Sequence, residues 1–418
     1  MRVLFVTTEF PGPPLSGGRV RSLGQLRLLL GLTEITALGL FSLTETPMTG
    51  HDLQALHQGL GGGSVLQVFP PVQHPIHVLQ HPRFFARLGL RRLFWDRPYV
   101  LAKWYSPSVC AALRTVFAAR WDVVYIDHLG LAVYRPWVKP CGRLVLDCHN
   151  IESEFFHEFA QRLPAPLRFF AAMEARTAAR HEAVELAAAD ATVAISDRDG
   201  SGLRSLVHKH TGRYIQPVCV PPVVLPVSVP RPVPRSVEEE TGDRPEIVYV
   251  GNLSWRPNVA GLHFFLQKVW PRVRARLPAA RLTIAGSGLA PGSDGGFSGP
   301  GVSVVGYVDD VQTVTRRAHV FVAPVVGGSG VRIKLLDSLR LGVPTVTTTA
   351  GALGLPLTDG LQVRIADTPQ DFAAAVVDLC VDPRQRAALR QAGFAFLQEH
   401  HSLQKAQAAM RLVLGLGQ

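Results

Sequence analysis

Short apolar runs alternate with longer periodic stretches along most of this chain. Residues 2–7 form the first run, which Glu9-Phe10-Pro11-Gly12-Pro13-Pro14 ends. Ser16-Gly17-Gly18 follows, and then an apolar-periodic stretch continues to Leu30, the order of strand, glycine loop and helix. Residues 35–40, 65–69, 123–126, 144–147 and 192–195 are further strand candidates. Helical patterns separate several of them, notably residues 169–189, so the first half predicts a parallel sheet covered on both faces. A second alternating series begins at residues 247–250 and continues at 282–285, 302–305, 320–323 and 345–348. Two open parallel sheets fit this pattern better than one closed barrel, although strand number alone admits a barrel. The loops at the carboxyl ends of two such sheets are expected to face a common cleft.

Residues 217–245 break the pattern with eight prolines among short valine pairs and then Glu238-Glu239-Glu240. The expected division is therefore a first domain at 1–216, a connection at 217–245, a second domain at 246–399, and a helix or tail at 400–418 that is a candidate for packing back on the first domain. A length of 418 residues exceeds what one hydrophobic core usually serves, which agrees with two domains. Hydrophobic residues make up 47% and charged residues 18%, a balance that excludes extensive disorder.

A net charge of +11 implies anionic partners without naming them. Nucleic acid is not expected, for want of zinc-finger spacing, RNA-binding aromatic motifs or a long basic tail. Cys110, Cys141, Cys148, Cys219 and Cys380 are scattered and odd in number, which favours a reducing cytoplasm over a disulfide framework or metal knuckle. The first residues run straight into a strand pattern and do not read as a signal peptide. No apolar run is long enough to suggest a membrane span, so membrane association is expected to be peripheral, at the inner face. Residues 83–120 are the candidate surface. Arg83, Arg87, Arg91, Arg92, Arg97, Lys103, Arg114 and Arg120 stand there against Asp96 alone, with Phe84, Phe85, Leu88, Leu90, Leu93, Phe94 and Trp95 interleaved. Packing of those apolar residues against the first domain, with the cations left in water, is the first reading, and peripheral membrane contact the second.

The richest chemistry lies in Gly327-Gly328-Ser329-Gly330-Val331-Arg332-Ile333-Lys334-Leu335-Leu336-Asp337, which reads as a loop between a strand and a helix. Glycines and a helix amino terminus offer backbone donors to an anion, Arg332 and Lys334 can neutralise a pyrophosphate, and Asp337 can accept from sugar hydroxyls. A solvated turn is the bland alternative. Gly286-Ser287-Gly288 directly follows a strand and is a ligand-facing candidate, and residues 291–301 read as a flexible excursion. Gly61-Gly62-Gly63 reads as a surface turn. His128 and His149 each follow a strand, and either can serve chemistry or a structural hydrogen bond. Asp147 can tether a neighbouring loop. Ser196 reads as a helix cap. Glu174 and Glu182 lie in a helical segment where solvation or ion pairing is the first explanation.

Tyr249-Val250-Gly251-Asn252-Leu253-Ser254-Trp255-Arg256-Pro257-Asn258, Ile284-Ala285-Gly286-Ser287-Gly288, Val305-Gly306-Tyr307-Val308, and the segment through Asp337 to Gly342-Val343-Pro344 occur in one order. That order resembles the retaining glycosyltransferases of family four, most strongly over residues 247–399. The resemblance implies an α/β fold of GT-B type, with two facing Rossmann-like domains and parallel sheets. It implies transfer of a sugar from a nucleoside-diphosphate-sugar, held mainly by the second domain, to a hydroxyl acceptor, with retention of configuration. No clustered carboxylates or histidine pair marks a metal site in the sequence, and Arg332 and Lys334 can take over phosphate neutralisation, so no metal or other cofactor is expected. The common pattern has two glutamates. Here Asp337 stands at the later position and takes the ribose role, whereas Ser329 at the earlier one cannot carry a charge role. The basic pair usual after the first strand of that domain is replaced by Asn252, with Arg256 downstream.

By the same resemblance, Gly17, Gly18 and Arg19 approach the donor phosphates from the opposite domain. Gly286, Gly288, Gly328, Ser329 and Gly330 line the donor, and Tyr307 and Val308 border the base. Arg332 and Lys334 stabilise the leaving diphosphate, and His149 or His128 orients reactants on the acceptor side. A cell-surface polysaccharide, lipid-linked glycan or glycolipid is the expected acceptor class. A nucleotide-sugar epimerase or hydrolase, and a non-catalytic nucleotide-sugar or polysaccharide-binding protein, remain open. A Rossmann dehydrogenase fits less well, because Ser16-Gly17-Gly18 lacks the dinucleotide fingerprint.

Overall fold

The computed structural model describes residues 1–12, 17–61, 66–75, 81, 98–138, 142–161, 163–222, 244–290, 292–308, 310–327 and 331–417. The chain divides into two compact units, Met1–Pro222 with Leu403–Gln418, and Val223–Ser402.

In the first unit the described strands are β1 (Arg2–Thr7), β2 (Ala37–Thr44), β3 (Leu66–Val68), β4 (Val72–Gln73), β5 (Val123–Asp127), β6 (Arg143–Cys148), β7 (Ala191–Ala194) and β8 (Val218–Cys219). They run in the order β3-β2-β1-β5-β6-β7-β8, with β4 beside β2, and every pairing is parallel. Nearly every position of β1 and all of β5 are buried, which is why these strands read as unbroken apolar runs rather than as alternations. The chain reverses its direction of travel across the sheet between β1 and β5. The carboxyl ends of those two strands therefore flank the crevice where open α/β sheets place their sites.

The unit extends past residue 216 because β8 pairs with β7. Helix Leu403–Leu414 also belongs to it: Arg143 Nε donates to Val413 O at 3.0 Å, and Arg411 pairs with Glu34 at 2.9 Å. Of the segment 83–120, the residues from 98 onward pack inward. Val100, Leu101, Val109, Leu113 and Val116 join the sheet's core while Arg114 and Arg120 stay exposed. Residues 82–97 lie outside the described residues, as do Gly62, Gly63, Cys141 and residues 223–243 of the expected connection.

Helix ends follow local chemistry. Ser196 accepts from Asp199 N and caps helix Asp197–Thr211. Gly61 ends helix Gly50–Leu60 at φ 75°, a left-handed conformation that costs glycine little. Helices Glu152–Gln161 and Ala165–Ala188 form a hairpin, and here the expectation for Glu182 is corrected. Its side chain is buried rather than solvated. It accepts from the backbone N–H of Glu152 at 3.0 Å and of Ser153 at 3.1 Å, and from Ser153 Oγ at 2.8 Å. Its carboxylate thus satisfies the free donors at the start of the preceding helix. Glu174 is likewise committed, accepting from the backbone N–H of Tyr99.

The second unit contains β9 (Glu246–Val250), β10 (Arg281–Ala285), β11 (Val302–Gly306), β12 (Val320–Ala323), β13 (Thr345–Thr347) and β14 (Arg364–Ile365). The order is β11-β10-β9-β12-β13-β14, again parallel throughout, with the reversal between β9 and β12. Phe265, Val269, Phe372 and Val376 close one face and Leu335, Leu336, Leu339 and Phe396 the other. The stretch after β10 is anchored rather than loose, because Phe297 is buried with its ring 5.3 Å from His263. Among the described residues, no helix is long and apolar enough to cross a membrane.

Candidate functional site

In the second unit, the loops leaving β9, β10 and β11 are stitched together by backbone hydrogen bonds. Gly251 N donates to Ala285 O at 3.1 Å, Leu253 N to Ser287 O at 2.7 Å, and Gly286 N to Gly306 O at 2.7 Å. Gly286 has φ 151°, and a Cβ there would lie 1.6 Å from Gly251 O, so this approach admits no side chain. Gly288, at φ 96°, would clash with Ser254 in the same way.

Asn252 shapes the loop. Its Oδ1 accepts from Ser254 N at 2.8 Å, Ser254 Oγ at 2.7 Å and Trp255 N at 3.1 Å, and the chain then enters helix Arg256–Phe264. Asn258 bridges onward, with Nδ2 donating to Asn252 O at 3.0 Å and Oδ1 accepting from Lys334 Nζ at 2.8 Å.

Lys334 also reaches Tyr249 Oη at 3.3 Å and lies 4.8 Å from the centre of that ring. Among the described residues its hydrogen-bond partners are therefore two neutral groups. Burial, and then the charge of Arg332, push the ammonium down to about 7. A cation held this way gains most from an incoming anion. Arg332 donates from Nη2 to Gly327 O at 3.2 Å and stands at the start of helix Ile333–Arg340. One turn on, Asp337 is half exposed, with Oδ1 3.5 Å from Arg340. Arg256 and Tyr307 are exposed, and Val308 is partly buried just past β11. Gly328, Ser329 and Gly330 lie outside the described residues.

In the first unit a buried polar network occupies the carboxyl ends of β5 and β6. Asp147 Oδ1 pairs with Arg21 at 2.7 Å, and its Oδ2 accepts from Tyr125 Oη at 2.6 Å and Gln25 Nε2 at 3.1 Å. Asp127 accepts from Ser22 and lies 3.0 Å from His149 Nε2. Asp147 therefore tethers helix Gly17–Leu30, whose first turn holds Gly17 and Gly18. Arg19 pairs with Glu9 at 2.8 Å.

Ligand atoms of Asp127, Asp147 and His149 all lie within 4.8 Å of one another. Their oxygens are already engaged by these partners, and the Arg21 guanidinium supplies the positive charge a metal would bring, so the donor set does not fit a cation.

Burial disfavours the His149 imidazolium, but Asp127 outweighs it by charge and hydrogen bond, and the net shift is upward. His128 behaves oppositely. Burial, helped by His149 and Lys103, drives it down to about 3, so the ring is neutral. Its Nδ1 accepts from Gly130 N at 3.0 Å, which leaves the proton on Nε2, 3.4 Å from Glu152 Oε1. Burial raises Glu152 to about 7. The two imidazoles meet edge to face at 5.6 Å.

The structure thus gathers His128, His149 and the Gly18 end of one helix in the first unit, and Asn252, Gly286, Gly288 and Lys334 in the second. Sequence reasoning missed Arg21, Gln25 and Glu152 in the first and the bridging role of Asn258 in the second. Arg21, Ser22 and Gln25 did leave a signal, three polar residues on the helix face that also carries Leu26 and Leu29.

Residues 244–382, nearly all of the second unit's sheet and glycine loops, match the family described as Glycosyl transferases group 1. Solved structures share the fold over 99% of this chain: HepE of Anabaena in complex with UDP (12% identity, 100% of that chain, TM-score 0.64), sucrose-phosphate synthase from Thermosynechococcus elongatus (15%, 98%, 0.67), and a UDP-forming α,α-trehalose-phosphate synthase from Burkholderia xenovorans in complex with glucose-6-phosphate (13%, 100%, 0.63). The fold is of GT-B architecture, two Rossmann-like α/β domains with parallel sheets, and the second domain is the part similar to Glycosyl transferases group 1. More particularly, a curated relative, an uncharacterized 44.6 kDa protein in the cps region of Klebsiella pneumoniae, is 28% identical over 167 residues. That alignment takes in 38% of this chain and spans 43% of the relative's length.

Proposed function

We propose that the protein transfers a sugar, with retention, from a nucleoside-diphosphate-sugar to a hydroxyl acceptor in the synthesis of a cell-surface polysaccharide, lipid-linked glycan or glycolipid. The observation that carries this reading is Lys334, a largely buried ammonium whose partners are a tyrosine hydroxyl and an amide, beside Arg332 at a helix amino terminus. A diphosphate supplies the negative charge that the two described partners of Lys334 do not. Complexes of HepE with UDP and of the same protein with UDP-glucose support a nucleotide-sugar donor, and the relative in a cps region supports the polysaccharide side.

In this reading Arg332, Lys334 and the backbone donors near Gly328, Ser329 and Gly330 hold the diphosphate. Asp337 accepts from the ribose hydroxyls. Gly286 and Gly288 let the loops come close to the donor, with Asn252 fixing their shape and Arg256 at the adjoining helix start. Tyr307 and Val308 border the base. From the first unit, Gly17, Gly18 and Arg19 serve the phosphates, and His149 and His128 orient the reacting hydroxyl.

The acceptor oxygen forms its bond to the anomeric carbon on the face the diphosphate leaves. The bond from that carbon to the phosphate oxygen breaks, and the hydroxyl proton passes to a donor phosphate oxygen. Fixed cations favour the step because charge grows on the leaving group.

Incubation with a panel of nucleotide sugars and fractionated glycan acceptors tests the proposal. Release of nucleoside diphosphate should require the acceptor, whose mass should rise by one sugar unit with the donor's anomeric configuration. Release without an acceptor would indicate a hydrolase, and binding without turnover a binding protein.

A further inference from the structure

We propose that the start of helix Ala165–Ala188 is a docking surface for an anionic lipid bilayer. Leu167, Phe169, Phe170 and Met173 are 54%, 64%, 64% and 47% exposed, four large apolar side chains within two turns. Phe155, on the partner helix of the hairpin, is 38% exposed. Contiguous apolar exposure of this kind is uncommon on a surface that meets only water.

The exposed charges of helix Ala165–Ala188 have one sign, while Glu154 and Glu158 flank Phe155 on the partner helix. Among the described side chains, the exposed residues of this helix are Ala165, Leu167, Arg168, Phe169, Phe170, Met173, Arg176, Arg180 and Val184, each either apolar or an arginine. Its three acids are turned to internal duty. Glu174 accepts from Tyr99 N, Glu182 from Ser153 and the backbone of Glu152, and Glu185 pairs with Arg135. Phe169, Met173, Arg176 and Arg180 follow one helical stripe, so aromatic and thioether groups lead and guanidinium groups follow. That order suits a helix end that dips into the acyl boundary while its arginines meet headgroup phosphates.

The occupant is taken to be anionic lipid because a second copy of this chain, at net charge +11, would bring arginines against arginines. The surface differs from residues 83–120, of which Val100, Leu101, Val109, Leu113 and Val116 pack in the core.

Co-sedimentation of the full chain with phosphatidylcholine vesicles, and with equal mixtures of phosphatidylcholine and phosphatidylglycerol, tests it. Wild type should bind the mixed vesicles, bind phosphatidylcholine alone far less, and dissociate as salt rises. The double variant Phe169→Ser, Phe170→Ser should lose roughly tenfold or more in partitioning, since two exposed rings no longer leave water. Arg176→Glu with Arg180→Glu should lose the preference for phosphatidylglycerol. Circular dichroism melts identical to wild type would show that both variants fold.

Two results would overturn the proposal: no lipid preference in wild type, or unchanged binding by both folded variants. So would light scattering that finds a wild-type dimer and a monomeric Phe169→Ser, Phe170→Ser variant, which would make the patch an interface between copies.

Discussion

Replacing Lys334 by glutamine removes the charge while keeping a polar side chain one atom shorter, so the variant tests chiefly the electrostatic part of the proposed role. Two unit charges about 4 Å apart at an effective dielectric near 20 interact by about 4 kcal/mol. Part of that is already present with the ground-state diphosphate, and only the excess in the transition state accelerates the step. A loss of about 2–4 kcal/mol in transition-state stabilisation corresponds to roughly a 30-fold to 1000-fold fall in kcat. The pH profile adds a second readout. In the free protein Lys334 is pushed down to about 7, so its protonated fraction falls as pH rises through that value. Initial rates with donor varied should therefore show kcat/KM declining above about pH 7. The bound diphosphate raises the pKa of Lys334, so kcat should stay level to higher pH. Steady-state release of nucleoside diphosphate in wild type and Lys334→Gln measures both. The reasoning fails if the variant turns over at the wild-type rate, or if kcat/KM is level across neutral pH in wild type.

Three further outcomes follow from the packing. Gly286→Ala should destabilise the second unit by at least about 2 kcal/mol, read as a lower Tm and weaker nucleoside-diphosphate binding, because the new Cβ meets Gly251 O at a φ of 151°. Arg21→Met should cost the first unit about 3–5 kcal/mol in chemical denaturation by leaving the Asp147 carboxylate buried without its cation. Burial raises Glu182 to about 7 from an ordinary 4.5, so its protonated form contributes stability that is complete below the unfolded value and lost as pH rises through the folded one. Between about pH 6 and about pH 8 that loss is on the order of 1 kcal/mol, and Glu182→Gln should flatten the fall in Tm over that window. Equal slopes would refute it.

The sheets were legible because parallel strands covered on both faces leave unbroken apolar runs, as in β1, β5 and β12. The proposed second-unit site could be named from the sequence because Arg332, Lys334 and Asp337 lie within one turn and a half of chain. The first-unit network was not. Arg21 and Asp147 are 126 positions apart, and only the fold tells that each completes the other. Glu182 was hidden for a related reason. A glutamate in a helix reads as solvated until the start of a neighbouring helix needs its oxygens. Phe297 likewise gave no sign that a glycine-rich stretch would be pinned to the core.

A crystal structure with a nucleoside diphosphate bound tests the central claim most directly. The account predicts a phosphate oxygen in hydrogen-bond contact with Lys334 Nζ, the Arg332 guanidinium close by, and a ribose hydroxyl donating to Asp337. A nucleotide seated away from residues 327–337, in protein that still transfers sugar, would contradict it.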